Sequence, residues 1–370
     1  MTKKALVFSL AYYPLVGGAE VAVKEITDRI GDIQFDMITL RFNKNHLPVE
    51  KIGNVNIYRI LEGKFFFPVF AFIKACRLHK KNRYNLIWSI MAAHAGFAAL
   101  FFKLAHPKVP YLLTLQEGDP IDYIKKKVRF VHSLFKIIFT KADFIQAISN
   151  YLAIWAREMG AKCPVEVVPN GVDIDKFKSQ SSNLAYRQAG IKNNEEKILI
   201  TTSRLVKKNG IGDIIKSLQY LPENVKFWII GDGPERKNYA LLVTHYSLQN
   251  RVSFLGYLSH EEIVKHLHSA DIFIRPSLSE GLGNSFLEAM AAGVPVIGTP
   301  VGGIPDFLKD KETGLFCEVN NPQSIAEKVK IYLNNQELRE KIIANAQKIV
   351  QEKYNWNLIT EKMRNIFEKL

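Results

Sequence analysis

Short apolar runs alternate with stretches of helical spacing along almost the whole chain, and this alternation constrains the fold more than any other feature. Runs at 5–10, 36–40, 55–60, 86–90, 111–115 and 144–148 have the length of buried strands. Strands covered on both faces are mostly apolar, and 5–10 is such a run; the others are further strand candidates. Helical stretches such as 19–30 separate most of them, so successive strands are joined by crossovers and run parallel. The segment 165–173, with Asn170-Gly171 as a turn signal, closes this first set. Polar residues over 178–196 suit a linker and a short helix. A second set follows at 198–202, 226–230, 252–255, 272–274 and 294–297, again with helices between. A chain of 370 residues is long enough for two or three domains with cores of their own. The expectation is an α/β protein of two Rossmann-like domains, 1–178 and 179–354, facing a central cleft. Open parallel sheets of this kind bind ligands beyond the carboxyl ends of their strands.

Charge is uneven. Residues 60–141 hold 14 Lys or Arg against four acids, which is most of the chain's net +14. These cations are interleaved with apolar residues, Phe65-Phe66-Phe67 among them. That mixture suits an anionic lipid surface. A solvated basic face on ordinary helices is the other reading. Nucleic acid is set aside because no recognition motif accompanies the charge. Residues 86–102 are uncharged, but they contain Ser89, His94 and Gly96 and are too short for a spanning helix. Cys76, Cys163 and Cys317 are far apart and odd in number, which suits a reduced, cytoplasmic chain without disulfides or zinc spacing. The first residues have no signal-peptide layout.

The densest chemistry lies in 277–298. Glu280 and Glu288 stand with seven residues between them, around a Gly281-Leu282-Gly283 turn that opens a helix. Glycine lets backbone approach a ligand, and a helix start offers free N–H groups to an anion. Carboxylates accept hydrogen bonds from hydroxyls, so the pair suits a polyhydroxylated ligand with a diphosphate. Each piece also has a plain reading. Ser285 and Glu288 have the spacing of a capping box, and Glu280 could be a solvated loop charge.

With the Ala292-Gly293-Val294-Pro295-Val296-Ile297 segment that follows, this stretch resembles the donor site of retaining glycosyltransferases of family 4, the group 1 glycosyl transferases of GT-B architecture. The resemblance covers nearly the whole chain and is strongest over 202–314. It implies that Glu288 bonds ribose hydroxyls and Glu280 bonds hydroxyls of the donor sugar. Backbone amides of Gly283, Asn284 and Ser285 would meet the diphosphate, and Gly281 would bind the donor in the same turn. Thr202 to Gly210 is similar to the family loop whose arginine and lysine grip that diphosphate. Arg204 matches, whereas Asn209 stands at the lysine position, with Lys208 one residue earlier as the replacement. A solvated basic loop is the alternative. Gly17-Gly18 resembles the first-domain loop over the donor phosphates, and a tight turn into a helix is its plain reading. Gly231 and Gly256 end strands whose turns line the nucleotide pocket in the family. Val301-Gly302-Gly303-Ile304-Pro305-Asp306 is a further family turn, with Asp306 where glutamate is usual. The C-terminal helix, about 355–370, would pack back on the first domain.

Asp173-Ile174-Asp175 has the spacing of a metal-binding pair, but two carboxylates alone make an incomplete site. It falls in what resembles the inter-domain connection, so no metal is expected. His266 and His268 point to different helix faces and suggest none either. On the acceptor side His94 is the nearest match to a family histidine close to the reactive carbon. A second family histidine is replaced by Gln116, followed by Glu117 and Asp119, which can exchange protons.

The resemblance thus implies a metal-independent, retaining hexosyl- or N-acetylhexosaminyltransferase. Its donor would be a UDP- or GDP-linked sugar, with no other cofactor. Its acceptor would be a hydroxyl of a lipid-linked or surface-polysaccharide precursor, reached from the inner face of the cytoplasmic membrane. Two rival readings stay open: a sugar-nucleotide epimerase or phosphorylase of the same fold, and a non-catalytic sugar-nucleotide or lipid-surface binder. Asn209 and Gln116 leave room for the latter. Oligomeric state is not legible.

Overall fold

A computed structural model describes residues 3–61, 63–178 and 195–370. It divides into two units, Met1–Asn170 with Trp356–Leu370, and Gly171–Asn355. The division falls upstream of the 178–179 break expected from composition. Val172 forms a bridge with Asn355, and its amide bonds the Tyr354 carbonyl at 2.6 Å, so residues after Asn170 belong with the second unit. The linker and short helix expected over 178–196 lie almost wholly outside the described residues.

The first unit is built on β1 (Lys3–Phe8), β2 (Ile33–Leu40), β3 (Val49–Ile52), β4 (Val55–Ile60), β5 (Leu86–Ile90), β6 (Tyr111–Leu115), β7 (Phe144–Ala147) and β8 (Val165–Val167). They form one eight-stranded sheet in the order β3-β4-β2-β1-β5-β6-β7-β8. Every neighbouring pair is parallel except β3 with β4. The edge strand β3 has no apolar run to announce it and stays partly exposed. The uncharged stretch 86–102 becomes fully buried β5 and most of the helix His94–Ala105. Among the described residues no helix is long and apolar enough to cross a membrane.

Helix Gly18–Arg29 buries Ala19, Ala22, Val23 and Ile26, a single face at helical spacing. Helix Trp356–Lys369 buries Trp356, Ile359, Met363, Ile366 and Phe367 in the same core. The Phe367 ring packs edge-on at 5.8 Å from Phe35 and 5.2 Å from Trp88. Arg364 bonds Asp32 at 2.5 Å on its outer side. Strand order reverses at β1, which lies between β2 and β5. The loops after β1 and β5, carrying Gly17-Gly18 and leading to His94, therefore flank the switch point where such sheets bind ligands.

The second unit holds β9 (Lys197–Thr202), β10 (Val225–Ile230), β11 (Val252–Gly256), β12 (Ile272–Arg275), β13 (Val296–Gly298) and β14 (Leu315–Phe316). Its sheet is parallel throughout, in the order β11-β10-β9-β12-β13-β14. Here the order reverses at β9, between β10 and β12. The loops after β9 and β12, which begin at Ser203 and Pro276, flank this second switch point.

Candidate functional site

The loop after β9 is locked to the loop after β10. Ser203 donates its amide to the Ile230 carbonyl at 3.0 Å, and Leu205 to that of Asp232 at 3.0 Å. Gly231 also donates to the carbonyl of Gly256 at 2.7 Å, so motifs far apart in sequence meet at one sheet edge. Arg204 stands exposed on this frame, Lys207 is exposed and Lys208 half-buried. The Lys208 carbonyl accepts from the Leu278 amide at 2.7 Å, which ties this loop to the one after β12.

Asn209 is buried. Its Nδ2 donates to the Arg204 carbonyl at 2.6 Å, and its Oδ1 accepts from Arg275 at 3.4 Å. Arg275 ends β12, pairs with the Glu280 carboxylate and donates to Ser285 Oγ at 2.7 Å. The sequence reading passed over this arginine. Its only signal is a charge at the carboxyl end of an otherwise apolar strand.

The helix after the glycine turn spans Asn284–Ala291. Its N-cap is Gly283, at φ 102°, with no side-chain cap. The capping-box reading fails because the N-cap is Gly283: Ser285 and Glu288 lie inside the helix, where Ser285 accepts from Arg275 and Glu288 lies beside His260. Glu288 Oε1 lies 3.6 Å from His260 Nε2, and this carboxylate raises the His260 pKa against burial and Lys176. His260 opens its own helix, His260–Ser269, and Phe177 packs on its ring at 5.8 Å. It too was missed, although it closely follows the Gly256-Tyr257 turn. Glu280 is held from behind by the 301–306 turn. The Gly303 amide donates to the Glu280 carbonyl at 3.1 Å, and a β-carbon on Gly302 would fall 1.8 Å from that oxygen. The solvated-loop reading of Glu280 therefore does not hold: its side chain is 12% exposed and salt-bridged.

In the first unit Gly17 is the N-cap of Gly18–Arg29. The Glu20 carboxylate folds back on this turn, where a Gly17 β-carbon would sit 2.7 Å from its oxygen. Burial raises its pKa, while the Glu20 and Gly17 amides pull the other way. His94 is the first residue of His94–Ala105 and half-buried. Burial, then Lys64 and Lys127, lower its pKa. Gln116 and Glu117 are both buried at the end of β6. Gln116 accepts from Asn170 at 3.3 Å, and Glu117 accepts from the Ala92 amide at 2.7 Å. Burial pushes the Glu117 carboxyl up to about 7, and its second oxygen, sealed from solvent, has no partner. Glu117 thus staples β6 to the turn that leads into His94.

Asp173 pairs with Lys176 at 3.1 Å. Among the described residues no cluster of three or more His, Cys, Asp or Glu could hold a metal ion.

A family model described as glycosyl transferases group 1 matches residues 183–349, and one described as glycosyltransferase family 4 matches 16–176. An uncharacterized glycosyltransferase of Methanocaldococcus jannaschii is 32% identical over 96% of this chain and 96% of its own length. N,N'-diacetylbacillosaminyl-diphospho-undecaprenol alpha-1,3-N-acetylgalactosaminyltransferase of Campylobacter jejuni is 25% identical over 94% of this chain and 89% of its own. Among solved structures, Anabaena HepE in complex with UDP and glucose superposes with a TM-score of 0.84, at 19% identity and full coverage of both chains. That likeness is one of fold.

Proposed function

The chain belongs to the glycosyl transferases group 1, family 4, with the paired Rossmann-like domains of the GT-B class, and from that premise we propose a retaining transfer from a UDP- or GDP-sugar to a hydroxyl acceptor. Glycosyltransferase activity comes with the family. One observation carries the finer reading. Glu280 and Glu288 bracket a helix start whose only cap is backbone, with the half-buried Arg275 guanidinium between Glu280 and Ser285 and Arg204 exposed on the neighbouring loop.

In this reading Glu288 takes the ribose hydroxyls, and Glu280 takes hydroxyls of a hexosyl or N-acetylhexosaminyl group. Charge gathering on the departing diphosphate meets the first-turn amides and Arg204, with Lys208 as the second cation. The acceptor oxygen attacks from the face the diphosphate leaves, so configuration is retained. The acceptor proton passes to a diphosphate oxygen, and neither a protein nucleophile nor a metal is required. His94 lies on the acceptor side. The Campylobacter relative acts on an undecaprenol-linked substrate by name. The basic, aromatic surface of the first unit suits such an acceptor at the inner face of the cytoplasmic membrane, where Phe65 is 84% and Phe130 85% exposed.

Incubation with a panel of UDP- and GDP-sugars, with soluble and polyprenyl-linked acceptors, tests the reading by product mass and anomeric configuration. A retained linkage, formed equally well in chelator, is expected. Epimerised donor without acceptor, or binding with no nucleotide released, gives the function to a rival reading. Activity lost to chelator and restored by magnesium returns Asp173 and Asp175 to consideration.

A further inference from the structure

Arg275 is the last residue of β12, and the three residues before it are buried and apolar. Its side chain is 13% exposed, so a full positive charge is largely withdrawn from water at the switch point of the sheet. Three acceptors converge on it, two from the stretch that follows β12 and one from the loop after β9: the Glu280 carboxylate, Ser285 Oγ at 2.7 Å and Asn209 Oδ1 at 3.4 Å. Its Nε is buried without a partner. A buried ion pair is a poor source of net stability, because desolvation offsets the attraction. What a guanidinium offers beyond charge is a rigid fork that fixes several acceptors at once, which a lysine ammonium does not. The network reaches on, since Asn209 Nδ2 holds the Arg204 carbonyl at 2.6 Å. One planar group thus sets the Glu280 carboxylate, the first turn of Asn284–Ala291 and the base of the Arg204 loop.

We propose that Arg275 is the positioning residue of the donor site, holding Glu280 on the donor sugar in register with the diphosphate contacts of Ser285 and Arg204. This rests on the reading of Glu280 as a sugar ligand. Losing the fork frees the Glu280 carboxylate, whereas the Arg204 loop keeps its backbone bonds to Ile230, Asp232 and Leu278, so the nucleotide end stays bound while the sugar end swings. Misplacement of this kind costs about 100-fold in rate.

The test compares Arg275→Gln, Arg275→Lys, Glu280→Gln and the Arg275→Gln/Glu280→Gln pair. Turnover is read on the UDP- or GDP-sugar that the wild type uses, and affinity by calorimetry with UDP or GDP alone. Arg275→Gln is expected to lower kcat about 100-fold while affinity for the free nucleotide stays within about 3-fold. The double variant is expected to be no slower than Glu280→Gln, because both substitutions remove one function. Arg275→Lys keeps the charge without the fork and should show the same split, which carries the test if the glutamine variant does not fold. Multiplicative losses in the pair, or nucleotide affinity falling in step with kcat, overturn the proposal. If Glu280→Gln is inactive while both Arg275 variants work normally, the donor-site reading stands and this inference fails. If Glu280→Gln keeps full turnover, the donor-sugar reading itself has failed.

Discussion

Glu117 shows how one carboxyl can be read twice. In sequence it is a proton-exchanging group near an acceptor position. In the structure it is buried, takes the Ala92 amide and is pushed up to about 7 by burial. An acid whose folded pKa lies above its unfolded value costs stability as it ionises. The penalty is absent below the unfolded pKa of about 4.5, grows as pH rises to about 7, and then levels off. Glu117→Gln keeps an acceptor for Ala92 and removes the charge. It should therefore melt like wild type near pH 4.5 and higher than wild type at pH 8, by an amount on the order of 3 kcal/mol. Equal melting at both pH values would show that the carboxyl is not desolvated. Glu288 gives a second test. Glu288→Gln should weaken UDP or GDP binding in calorimetry with little change in melting, since the residue caps nothing. In an NMR titration the His260 pKa should fall in that variant. The raised His260 pKa means that the pair's contribution is full at low pH and fades as pH rises through that pKa. Unchanged nucleotide affinity would remove Glu288 from the site. Glu280 and Glu288 stood out in the sequence because carboxylates beside a glycine turn are a local pattern. Arg275 and His260 did not, because Asn209 and Glu288 reach them from distant positions.

Among the elements, most of those buried on both faces were legible to within a residue or two, although β2 starts three residues before the run at 36–40. Runs such as 86–90 and 111–115 coincide with β5 and β6, which are buried throughout and carry no charged residue. The edge strand β3 and the two-residue β14 escaped notice, since neither buries enough side chain to leave a pattern. The 301–306 turn was recognised by resemblance without a role, and its work is done by backbone. Gly302 has φ 56°, and its missing β-carbon makes room for the Glu280 carbonyl. Gly302→Ala should cost about 1–3 kcal/mol from the backbone conformation alone. The clash must also move the segment that carries Glu280. Melting should fall, and turnover should drop about 100-fold with free-nucleotide affinity less affected. A variant that melts and turns over like wild type would show that the turn can shift without carrying Glu280 with it.

On the scale of the whole molecule, charge is the property no single element explains. The net charge is +14, and residues 60–141 carry most of it. In the first unit these cations stand beside exposed aromatic rings. Lys127 lies 4.3 Å from the centroid of Tyr123, and Arg129 lies 4.4 Å from that of Phe130. Lys125, Lys126 and Lys127 are all exposed on the helix Ile121–Lys127, none of whose residues is buried. The helix gives its unit no fully buried side chain, and its Tyr123 is exposed beside these cations. A basic residue near an anionic bilayer contributes about 1 kcal/mol, so several acting together suffice for reversible attachment. Aromatic rings at the same surface add burial at headgroup depth. Sedimentation with vesicles of phosphatidylcholine, with and without phosphatidylglycerol, should show binding to the anionic vesicles alone. That binding should weaken with salt, because part of the attraction is screened. Changing Lys125, Lys126, Lys127 and Arg129 to glutamate should abolish it while leaving UDP or GDP affinity unchanged, since these residues lie outside the unit that carries Arg204, Glu280 and Glu288. Equal sedimentation with both vesicles, or none with either, would make this basic run a solvated face and direct the search for the acceptor to soluble glycans.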